Sequence, residues 1–226
     1  MEKSFLILDS LFYSGLIVLI FPLVLLISGF NRQPLVYKWL AVALAFAFVI
    51  DVVGRVSWYL DLAPNYSSHV YQLFATALIS VFFYHAIQWK TLKKSFFTVN
   101  ILYFVFSLIN LLYLQKAGIN SYSQVLRSII ILLLCIVFFF KLLKELPTQQ
   151  IHKLPLFWIV SSYFFSYSGK LVIYAITHYM ISMGDDFMVP SIFQVILTLV
   201  ANLIVAVGVW LNYKHEGTTQ LGKTIL

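Results

Sequence analysis

The chain has 226 residues, 62% of them hydrophobic and only 10% charged, with a mean hydropathy of +0.93. Soluble domains carry about 25% charged residues, so this composition excludes a soluble globular enzyme and leaves an integral membrane protein. The net charge of +7 reads as lysine placed in short loops to orient a membrane protein and not as a nucleic-acid surface, and no segment between apolar stretches is long enough for a soluble domain.

Apolar periodicity predicts an all-α, seven-transmembrane-helix bundle forming a single transmembrane domain over 1–226. Its helices are expected at about 4–29, 37–60, 69–89, 95–115, 121–144, 155–181 and 189–213. The first stretch has the look of a secretory signal. Its apolar core is too long for one, however, and Glu2 and Asp9 stand where a positive start is required, so it is read as a retained span. Prolines 34, 64, 147, 155 and 190 fall in connections or at helix starts, where a missing N–H is harmless. Pro22 alone falls mid-span and predicts a kink. The lone Cys135 sits in an apolar run, which excludes a disulfide framework or a cysteine metal site.

Lys and Arg counts predict the orientation. Arg32, Lys38, Lys90, Lys93, Lys94, Lys141, Lys144, Lys153, Lys214 and Lys223 fall on one side, and Lys3 and Lys116 on the other with Asp61, Asp185 and Asp186. The bias predicts an outside amino terminus and a cytoplasmic carboxyl terminus.

Three basic residues are left for the membrane interior. The sixth stretch, Leu154 to Met180, is the most informative because it carries Lys170 near its middle. At about 1.5 Å per residue Lys170 lies roughly 22 Å from Pro155, inside a hydrocarbon layer of about 30 Å. Ser162, Ser166, Lys170, Tyr174 and Thr177 recur every three or four residues, making one face polar. In the second helix Asp51 reaches a similar height, roughly 21 Å above Tyr37, so its expected partners are Lys170 across the bundle and Arg55 one turn away. Helix 3 adds Gln72, Thr76 and Ser80; helix 4 adds Asn100, Tyr103, Ser107 and Asn110; helix 5 adds Arg127; helix 7 adds Gln194, Thr198 and Asn202.

Apart from Asn100, the members of these stripes share a depth as well as a phase, falling between the outer surface and the midplane. They predict a polar cavity in the outer half, closed below by apolar residues of helices 1, 5 and 7. Asp51 against Arg55, Arg127 and Lys170 leaves an excess of two positive charges. Each uncompensated charge at this depth costs about 2.5–3.5 kcal/mol. A neutral lysine, arginines that reach the headgroups, or an anion from outside would each resolve it. The candidate ligand-binding or ion-path residues are therefore Asp51, Arg55, Gln72, Ser80, Ser107, Asn110, Arg127, Ser166, Lys170, Tyr174, Gln194 and Asn202.

Several chemistries are set aside. The buried lysine is in the sixth helix and not the last, unlike that of retinal proteins. SVFFYH at 80–85 resembles the serine and histidine of seven-helix metal-dependent lipid hydrolases related to alkaline ceramidase. The histidines at 69, 85, 152, 178 and 215 are nonetheless scattered, and helix 7 lacks a pair to complete a zinc site. Small three-plus-one-plus-three sugar transporters share the length, but their helix-breaking prolines are missing here apart from Pro22. No enzyme activity, cofactor or metal is expected. FFFKLLKELPTQQIHKLPLFWI at 138–159, followed by YSGK at 167–170, resembles small, uncharacterised bacterial seven-helix membrane proteins, some associated with sensor kinases. That resemblance implies a bacterial inner-membrane location and a kinase-type partner, and it carries no site residues.

Three functional classes follow. The first is a sensor or receptor-like module that binds a small anionic or polar ligand and signals through a partner. The second is a channel or secondary transporter, which needs a route to the inner side, where Tyr84, Gln88 and Asn100 are the only obvious candidates below the midplane. The third is an assembly subunit, in which polar stripes only hold helices or oligomers together.

Overall fold

The computed structural model describes residues 2–60, 65–88, 93–115, 120–145, 150–183 and 188–224. Asp61, Pro64, Lys90, Lys116, Pro147, Asp185 and Asp186, and the side chains of Lys3, His69, Lys93, Thr177, His178, His215 and Lys223, lie outside the described residues.

The helices are α1 (Glu2–Ser28), α2 (Leu35–Tyr59), α3 (Asn65–Ile87), α4 (Lys93–Ile109), α5 (Ser121–Glu145), α6 (Pro155–Met183) and α7 (Met188–Thr224). Among the described residues there is no strand. Six of these helices are long and apolar enough to cross a membrane, the architecture of a helical membrane protein. α3 is 23 residues long, and Tyr71–Ile87 within it is an apolar helix, about 25 Å by helix rise. All seven expected helices are present, and six of them have the length and apolarity of a span among the described residues.

Helix ends follow local chemistry. Pro34 precedes α2, and its carbonyl accepts the Tyr37 N–H at 3.0 Å. Gln88 stops α3 with φ +54°, the left-handed conformation that terminates many helices. At its end α4 widens into a π turn over Asn110–Leu114, closed by Gln115 N–H on the Asn110 carbonyl at 2.8 Å. Pro22 lies inside α1 without interrupting it. Helix α7 continues to Thr224, well past the expected end at 213.

Helix contacts form a ring. α1 packs on α2, α2 on α3, α3 on α5, α5 on α6, α6 on α7, and α7 closes back on α1. α4 packs on the outside of this ring, against α3 and α5. The α6–α7 seam is close because two glycines face it. A Cβ on Gly208 would lie 2.7 Å from Ile159 Cγ1 and 2.9 Å from the Pro155 carbonyl. A Cβ on Gly169 would meet Leu197.

One half of the ring interior is solidly apolar. Leu26, Leu40, Phe82, Phe83, Ile87, Ile131, Ile159 and Val160 are all fully buried there. The expectation drew this closure from helices 1, 5 and 7 alone. Every helix of the ring contributes, since Val36 and Leu40 come from α2, Phe82 and Phe83 from α3, and Ile159 and Val160 from α6.

Candidate functional site

Above that apolar layer the ring encloses a chamber of about 280 Å³. Tyr163 sits where the two meet, lining the chamber while its ring packs on Phe82 and Phe83 at 5.7 and 5.9 Å. All six ring helices line the space, and α4 does not. Eight of the twelve candidate residues face it: Asp51, Gln72, Arg127, Ser166, Lys170, Tyr174, Gln194 and Asn202. A side chamber of about 130 Å³ shares Asp51, Gln194, Thr198 and Asn202 and extends to Phe12 and Gly15 on α1.

Arg127 is the best-held charge in the chamber. It is buried, with Nη1 donating to Gln72 Oε1 at 2.6 Å and Nη2 donating to the Tyr167 hydroxyl at 2.5 Å. Its guanidinium also lies over the rings of Tyr71 and Tyr167, at 5.1 and 5.3 Å from their centroids. The flat, weakly hydrated guanidinium suits this setting of rings and fixed acceptors. Its Nε has no hydrogen-bond partner among the described residues. Lys170, one turn beyond Tyr167 on α6, places its ammonium 5.5 Å from the same ring.

Asp51 and Lys170 share the chamber wall but form no ion pair, so their charged atoms lie more than 4.0 Å apart. Neither has a hydrogen-bond partner among the described residues. Charged side chains that line a cavity at this depth are stabilised by water or a ligand around them. Around this group, Gln194 Nε2 donates to the Tyr174 hydroxyl at 3.3 Å, and Ser162 Oγ donates to the Ala201 carbonyl at 2.8 Å. Asn202 Nδ2 donates to the Gly15 carbonyl at 3.4 Å. These bonds join α7 to α6 and α1 along the chamber wall.

Compared with protein-family models, curated proteins and solved structures, the chain matches none.

Four candidates fall elsewhere. Arg55 does not meet Asp51 and is not in the chamber. It is ion-paired with Asp9 of α1, and its guanidinium lies over Phe12 and Tyr59, each 5.2 Å from the ring centroid. By helix rise Asp9 and Arg55 are each roughly 7 Å from the expected outer ends of their spans, so their depths match as those of Asp51 and Lys170 do. The interior excess of positive charge therefore falls from two to one.

Ser107 and Asn110 face α5 across the outside of the ring. Asn110 Nδ2 donates to Asn120 Oδ1 at 2.8 Å and to Ser123 Oγ at 2.9 Å, while Ser107 Oγ donates to Ser123 Oγ at 3.4 Å. This is a helix-docking network that fixes α4. Ser80 is buried beside a separate crevice of about 120 Å³ between α3, α4 and α5, and its Oγ has no hydrogen-bond partner among the described residues.

Sequence reasoning passed over Tyr71, Gln124, Tyr163 and Tyr167, which all line the chamber. With 14 tyrosines in the chain, an aromatic in a span carries no mark of which way it faces. The spacing of Tyr163, Tyr167, Lys170 and Tyr174 by four, three and four residues was the available signal.

Proposed function

We propose that this is a receptor-like membrane protein that admits a small anionic ligand into the chamber and passes the event to a separate partner. The observation that carries this reading is the chamber's charge, with Arg127 and Lys170 against Asp51 alone. One uncompensated cation inside the hydrocarbon costs about 2.5–3.5 kcal/mol, and a carboxylate, phosphate or halide placed between Lys170 and Arg127 would relieve that cost. The chamber lies just below the roughly 300–1,000 Å³ of ordinary ligand pockets, which suits a ligand of few atoms. The lysine distribution supports entry from the outside, with the carboxyl terminus cytoplasmic, and the resemblance at 138–159 supports a bacterial inner membrane and a kinase-type partner. No catalytic step is proposed.

The sealed apolar half favours a binding pocket over a conduit, since Phe82, Phe83 and Ile159 are fully buried beneath the chamber. The test is thermal unfolding of the purified protein against chloride, phosphate, acetate and succinate, with choline as the cationic control. A rise in Tm is expected with at least one anion. That rise should vanish in Lys170→Met and grow in Asp51→Asn. Stabilisation by choline alone, or an anion response indifferent to both substitutions, refutes the reading. Flux of the same anion through protein-containing liposomes would replace it with transport.

A further inference from the structure

A further cavity, of about 310 Å³, lies at the opposite end of the bundle from the charged chamber, where the start of α2, the end of α3, the end of α5 and the start of α6 come together. Its inner wall is apolar, formed by Tyr37, Phe138, Leu142 and Phe157. Its lining also carries one charge of each sign, Lys141 and Glu145. These two are one helical turn apart, with Nζ and Oε2 separated by 3.7 Å. A good charge-assisted hydrogen bond is about 2.7–2.9 Å, so each group retains capacity for another partner. Only 16% of the Lys141 side chain is exposed, against 54% for Glu145, which puts the cation inside the crevice and the anion on its rim.

The level of this cavity in the bilayer is marked by its neighbours. The apolar span of α5 ends at Glu145 and that of α6 begins at Pro155. Trp158 donates its indole N–H to the His152 carbonyl at 2.7 Å, the amphipathic placement of an aromatic at the headgroup boundary. A crevice that is apolar inside and doubly charged at headgroup depth is shaped for an amphiphile. Acyl chains gain little by leaving other chains for an equally apolar wall, so the headgroup decides which lipid stays.

The geometry points to a structural binding site for a zwitterionic phospholipid, its phosphate on Lys141, its ammonium on Glu145 and one acyl chain against the wall formed by Tyr37, Phe138, Leu142 and Phe157. The two charges cancel, which fits a neutral headgroup better than an anionic one. This inference stands independently of the ligand proposed for the central chamber.

Native mass spectrometry of the purified protein exchanged into phosphatidylethanolamine, phosphatidylglycerol or inorganic phosphate tests it. Phosphatidylethanolamine should be retained at least about threefold over phosphatidylglycerol, and inorganic phosphate should leave no adduct. Glu145→Gln should reverse the lipid preference, because Lys141 is then unopposed. Lys141→Met should lower retention of both lipids, and Leu142→Trp, which fills the crevice without altering charge, should abolish it. Equal retention of the two lipids, a wild-type preference for phosphatidylglycerol, a phosphate adduct without lipid, or a preference unmoved by Glu145→Gln overturns the assignment.

Discussion

Replacing Arg127 with Met separates the protein's two uses of this residue, as a strut between helices and as a charge in the chamber. Two charge-assisted hydrogen bonds are lost, to Gln72 and Tyr167, each worth about 1.5–3 kcal/mol net. Contact with two tyrosine rings is lost as well, at about 1–2 kcal/mol. Against this, the variant no longer holds a cation in the hydrocarbon, which returns about 2.5–3.5 kcal/mol. The balance is a destabilisation of about 0.5–5.5 kcal/mol. Met is apolar and of similar length, so backbone strain adds little. The assay is equilibrium unfolding in mixed micelles, run as a double-mutant cycle with Gln72→Leu. Because the two side chains are bonded, the cycle should show a coupling of at least about 1 kcal/mol. Additivity within about 0.5 kcal/mol, or a variant as stable as the parent, would show that Arg127 does not hold α3, α5 and α6 together. The same variant should lose most of its anion response, since the chamber then has no excess positive charge.

Asp9→Asn or Arg55→Gln alone should cost about 1–3 kcal/mol, by stranding one charge of a half-buried pair; the double variant should recover most of that loss in the same unfolding assay. Asn110→Leu should cost about 1–3 kcal/mol, because Asn120 and Ser123 lose a shared donor. Anion-induced shifts in Tm should stay at the parental value in that variant, since Asn110 is outside the chamber. Gly208→Ala should cost about 1–3 kcal/mol by overpacking the α6–α7 seam, with a lowered Tm as the readout. An unchanged Tm there would mean that the seam can open by a few tenths of an ångström without loss.

Most of the helix layout was legible in the sequence because runs of apolar residues long enough to cross a bilayer admit few readings. Depth was legible too, since helix rise alone brings Asp51 and Lys170 to one level, and both line the chamber. Facing was harder. The stripe on α4 has the same spacing as those on the ring helices, and spacing cannot say whether a stripe looks into a cavity or onto one neighbouring helix. For Ser107 and Asn110 it is the neighbour, α5. Asp9 was weighed as evidence against a signal sequence and not as a charge within a span, so Arg55 was given the wrong partner. The chamber tyrosines were hidden by their abundance, because the same residue serves lipid contact, interface anchoring and cation contact in this chain.

The position of α4 has a consequence for how the protein tolerates change. Six helices complete the enclosure without it, so α4 acts as a buttress and not as part of the vessel. Substitutions on its outer surface, or docking of a neighbouring protein against it, leave the contents of the vessel untouched. Reshaping any other helix breaches the wall.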